Sequence, residues 1–75
     1  MKLTVDEEAD ALHLHLVDVP VAESDEIAPG VIVDYDESNQ VVGIEVLGLS
    51  KRHPPVNLMD FQFQVSSKMS SPTEK

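Results

Sequence analysis

The chain has 75 residues, fourteen Asp and Glu against five Lys and Arg, a net charge of −9, and no cysteine. This length holds one small domain, disulfides and thiolate metal sites are excluded, and phosphate binding lacks the cations that displace counterions. No stretch approaches the roughly 18 apolar residues of a membrane helix and MKLTVDEEAD is no signal peptide, so the expectation is a cytoplasmic protein that binds neither nucleic acid nor membrane.

KLTV opens the chain as a short strand, with Leu3 and Val5 on one face. In the DEEAD that follows, Asp6 can cap a single turn by accepting a backbone N–H two or three residues on. ALHLHLVDV has the clearest twofold alternation. Leu12, Leu14 and Leu16 point one way, and Ala11, His13, His15 and Val17 the other, until Pro20 closes the segment. Residues 21–27 are acidic and suit a short edge strand, and Pro29-Gly30 marks a turn. VIVDY and VVGIEVL, rich in β-branched residues, form a hairpin around DESNQ, with Asn39 suited to a left-handed position. Gly43 inside the second strand signals a bulge or a close neighbour. Pro54-Pro55 break the pattern. LMDFQFQV satisfies both helical and strand spacing; the preferred reading is a helical turn near 56–60 and a strand over 61–65.

The fold class expected is a mainly β domain, with α+β as the alternative. It takes the form of a small antiparallel meander of four to five strands with one or two short helical turns. Residues 1–65 form the single domain and 66–75 a flexible tail.

Few constellations carry chemistry. His13 and His15 lie two apart on one strand face, where metal sites in β proteins gather ligands, and His53, Glu23 or Asp25 offer a third. The plainer reading is a polar solvent face opposite three leucines. No acidic stretch has the calcium-loop pattern, no serine has a neighbouring base, and there is no phosphate-binding glycine loop, so neither enzyme activity nor a cofactor is expected. Asp34 sits at a strand position and is expected to hydrogen-bond local backbone or pair with Lys51 or Arg52.

Partners are the better prospect. Residues 1–50 hold twelve acids and one base, a surface that steers a basic protein. Both phenylalanines lie beyond the proline break, so Met59, Phe61, Phe63 and Val65 are candidates for a partner or dimer interface, or for a last core strand. A domain this small without a staple is expected to be a homodimer.

LTVDEEADALHLHL and VAESDEIAPGVIVDYDESNQVVGIEVLGLSKR together resemble the YuzE-like family of small bacterial and cyanobacterial domains of unknown function. The resemblance rests on Asp6, Asp10-Ala11-Leu12, Pro29 to Asp36, Val42 to Leu47 and Ser50-Lys51-Arg52, and covers residues 3–52. It departs from the family pattern at Asn39, where a loop glycine is usual, and at His13 and His15. The resemblance implies a compact β-rich domain without assigned catalysis. Some members are similar to antitoxins in being small, acidic and encoded beside toxin-like genes. The function expected is thus a non-enzymatic, antitoxin-like binding module for a basic protein. The alternatives are a metal- or ligand-binding domain using His13 and His15, and a homo-oligomer without chemistry.

Overall fold

A computed structural model of the chain describes residues 1–67; the tail expected over 66–75 lies, from residue 68 on, outside the described residues. Five strands form one antiparallel sheet: β1 Lys2–Asp6, β2 Ala11–His15, β3 Glu23–Ala28, β4 Val31–Tyr35 and β5 Val41–Leu47. A single 3₁₀ turn, Leu49–Lys51, follows β5. The mainly β, antiparallel class is therefore the one the alternation predicts.

The spatial order is β1-β2-β5-β4-β3, so β2 pairs with β5 and not with its successor β3. Composition explains the placement. VVGIEVL is the longest strand, rich in β-branched residues, and takes the centre, where both backbone edges are bonded. ESDEIA, exposed along its whole length, takes an outer position, as does KLTVD. Pro20 lies in the long β2–β3 connection; β2 itself already ends at His15, after which Leu16 N–H bonds the Val42 carbonyl at 2.8 Å.

Carboxylates build the turns. Asp6 Oδ1 accepts the Ala9 N–H at 3.1 Å, and Glu26 Oε2 accepts the Gly30 N–H at 3.0 Å, where Gly30 has φ of 75°. In the β4–β5 loop, Asp36 Oδ1 takes the N–H groups of Ser38 (2.8 Å) and Gln40 (2.9 Å), and Asn39 adopts φ of 65°. This is an Asx-type turn closed by an asparagine in the left-handed region, as its residue types predict. Asp10, at φ of 57°, accepts the Ser50 N–H (3.0 Å) and hydroxyl (2.8 Å), which ties the β1–β2 turn to the 3₁₀ turn.

The pairing register sorts the side chains onto two faces. Leu3, Leu14, Ile44 and Val33 are cross-strand neighbours, as are Val5, Leu12, Val46 and Val31; these form an apolar face. Lys2, Thr4, Asp6, His13, His15, Glu45, Asp34 and Ser24 fall on the other. Among the described residues, the buried apolar side chains are Ala11, Val33, Val42 and Leu49, so the core is thin.

The strand expected over 61–65 is absent. Residues 61–65 are in no strand, and the helical turn expected over 56–60 reduces to a turn at 58–59 closed by Asp60 N–H to the Asn57 carbonyl at 3.2 Å. Alternation says which side chains of an extended segment would share a side. A strand also needs a neighbouring backbone to bond, and the sheet does not supply one here. No helix among the described residues is long and apolar enough to cross a membrane.

Candidate functional site

The polar face carries the most organised cluster in the molecule. Strand β4 places Asp34 there, in register with Ser24 on β3 and with Gly43 on β5. Ser24 Oγ donates to Asp34 Oδ1 at 2.6 Å. On the other side, Gly43 presents no side chain, so the Asp34 carboxylate reaches across β5 to β2. Its Oδ2 lies 3.1 Å from His13 Nε2. A Cβ at residue 43 would stand 2.9 Å from that Oδ2 and 3.4 Å from His13 Nε2, so only glycine leaves the passage open. The His15 ring continues the row, its centroid 3.9 Å from that of His13 with the planes tilted by 34°.

Asp34 is 7 % exposed, and this arrangement satisfies it. As a carboxylate it only accepts, so the Ser24 hydroxyl donates to one oxygen and the Nε2-protonated form of His13 donates to the other. His13 is thereby held at a fixed orientation with Nδ1 left for other contacts, in an open cleft lined also by Thr4, His15 and Glu45. The order of the row decides what it can do. A serine nucleophile needs an imidazole to take its proton, and here the Ser24 hydroxyl faces Asp34. The row is built to orient a histidine and to satisfy a buried carboxylate.

Asp34 was expected to bond local backbone or to pair with Lys51 or Arg52; it is bonded instead by the side chains of Ser24 and His13, because the side chains of one sheet face meet across the strands. The proposed third metal ligands do not gather either. Asp25 is registered with Val33 on the apolar side, Glu23 with Tyr35, and His53 lies beyond the 3₁₀ turn. Among the described residues no group of three or more His, Asp or Glu is placed to hold a metal ion. Gly43 fulfils the expectation of a close neighbour, and a register shift between Asp34 and Tyr35 shows the bulge beside it. The Ser24–Asp34–His13 linkage was the feature sequence reasoning missed. Its signal was an Asp, a Gly and a His at in-face positions of three strands.

The residues beyond the prolines present a different surface. Met59 is 80 % exposed, Phe61 63 %, Phe63 72 % and Val65 72 %. They alternate with Asp60, Gln62 and Gln64, so in an extended segment all four share one side. The acids are largely free of cations: among the described residues the ion pair is His13–Asp34, and no Lys or Arg meets a carboxylate.

Comparison with known proteins adds one finding. The model of a family described as a protein of unknown function, DUF2283, matches residues 2–50. No curated protein and no solved structure matches.

Proposed function

Because the chain belongs to DUF2283, a family of unknown function, we propose its role from its own residues: a non-enzymatic, acidic protein-binding module. It is antitoxin-like in engaging a basic protein partner, and we take it to be of the YuzE-like kind and cytoplasmic. The observation that carries this reading is the exposed strip Met59, Phe61, Phe63 and Val65. A segment outside the sheet that exposes four large apolar side chains at alternate positions is suited to docking on another chain as an added strand. The backbone supplies hydrogen bonds and the alternate side chains fill pockets. Aromatic residues of this kind supply most of the energy at protein interfaces.

The charge supports the class of partner. Twelve acids against one base in residues 1–50, uncompensated by Lys or Arg contacts among the described residues, favour approach of a basic surface and disfavour nucleic acid. The organised cluster supports the non-enzymatic part, since the Ser24 proton is directed to a carboxylate. The metal-binding alternative has the His13–His15 pair behind it but no third ligand among the described residues, and is the weaker reading.

A pull-down from the native host's lysate tests the proposal, with the wild type and a Phe61→Ala/Phe63→Ala variant as baits and elution in a salt gradient. The expected result is a basic protein retained by the wild type, released by moderate salt and absent from the variant. Identical retention by both baits, or a blank with the wild type, overturns the reading.

A further inference from the structure

From the apolar sheet face we infer that two copies of this chain pack that face against each other, as a two-layer β-sandwich about a twofold axis. The inference concerns a different surface from the strip after the prolines and stands or falls independently of it.

The face is uncharged across four strands. Leu3 and Val5 come from β1, Leu12 and Leu14 from β2, and Ile44 and Val46 from β5, with Val31 and Val33 of β4 beside them. The charged residues of these four strands fall on the opposite side. A sheet with one apolar face needs a second layer over it. This chain supplies none among the described residues: its one helical element is the three-residue turn Leu49–Lys51. Of the segment after the prolines, Met59, Phe61, Phe63 and Val65 are 63 % to 80 % exposed, while Val56 is 41 % exposed and the half-buried Leu58 lines a hollow with Val5 at the margin of the face. Of the residues on the face, only Val33 and the neighbouring Val42 are buried.

Charge selects a second copy as the occupant. A protein of net charge −9 repels copies of itself wherever carboxylates meet. Apart from Asp25 at its β3 margin the apolar face carries no charge, so that repulsion is smallest there, and a twofold axis sets it against an identical surface. A basic partner would have to bury its lysines there without counter-charges, which costs several kcal/mol per ion. Two such sheets pack about 10 Å apart with their strands about 30° from aligned.

Sedimentation equilibrium of the full chain at roughly 100 µM tests this, since association follows mass action. The wild type is expected at twice the 8.2 kDa chain mass. Leu14→Glu at the middle of the face and Val5→Glu at its margin should weaken the dimer at least tenfold. Thr4→Glu, next to Val5 but on the polar face, should leave it intact. Val5 is already 39 % exposed, so Val5→Glu remains folded by circular dichroism even if Leu14→Glu does not. A monomeric wild type overturns the inference. So does a dimer broken by Thr4→Glu as readily as by Val5→Glu, or one that survives Val5→Glu and is lost in Phe61→Ala/Phe63→Ala.

Discussion

Replacing Gly43 by alanine probes the polar row with a single methyl group. In most strands this change helps, because glycine in a strand interior is destabilising by about 0.5–1 kcal/mol relative to alanine. Here the new Cβ would stand 2.9 Å from Asp34 Oδ2, 3.4 Å from His13 Nε2 and 3.4 Å from the Leu14 carbonyl oxygen. The carboxylate must swing away, and the His13 contact at 3.1 Å is lost. A hydrogen bond to a charged group contributes about 1.5–3 kcal/mol; His13 is 30 % exposed, so the lower end applies after solvent screening. Setting about 1.5–2 kcal/mol lost against about 0.5–1 gained leaves Gly43→Ala less stable by about 1 kcal/mol. For a domain of this size that lowers the melting temperature by about 4–8 °C. The assay is thermal and urea unfolding at fixed protein concentration, repeated in an Asp34→Ala background. There the 2.9 Å contact is gone and the two at 3.4 Å remain, and Gly43→Ala should become neutral or stabilising. Equal effects in both backgrounds would refute the idea that Gly43 serves the Asp34–His13 contact.

Other perturbations read other parts of the structure. Asp10→Ala removes the acceptor of the Ser50 N–H and hydroxyl and puts alanine at φ of 57°, so urea unfolding should show a loss of about 1–2 kcal/mol. Asp10→Asn should recover about half of it. An unchanged midpoint for Asp10→Ala would show that the clamp between the two turns contributes nothing. At the β4–β5 loop, Asn39→Gly should lie within about 0.5 kcal/mol of the wild type while Asn39→Val costs about 1–2 kcal/mol, measured by the same unfolding curves. Zinc and a chelator should give coincident melting curves, since no third ligand among the described residues joins His13 and His15; a zinc-dependent rise lost in His13→Ala would restore the metal reading.

Much of this architecture could be read from alternation. Leu12, Leu14 and Leu16 against His13 and His15, and Val42, Ile44 and Val46 against Gly43 and Glu45, assign each residue to its face before any pairing is known. The left-handed position of Asn39 was legible as well, because it rests on a backbone preference of that residue type. What alternation does not contain is which strand lies next to which. The pairing of β2 with β5 brings His13 to Asp34, and that contact joins residues 21 apart in the chain. Hence Asp34 was matched with Lys51 and Arg52 on charge alone. The segment over 61–65 shows the converse. Its pattern is as regular as that of β2, yet the backbone there finds no neighbour, and pattern without pairing does not make a strand.

The two outer strands bear on how the protein ages in concentrated solution. Each leaves one row of backbone N–H and carbonyl groups unpaired, the usual template for chains to polymerise edge to edge. Strand β3 carries Glu23, Asp25 and Glu26 within six residues. A second β3 adding alongside would bring carboxylates of both copies to within about 5 Å, where like charges are destabilising. Part of the negative charge therefore acts as a stop on filament growth. A variant with these three acids exchanged for Gln and Asn should fold as before and, on standing, form fibres that bind thioflavin.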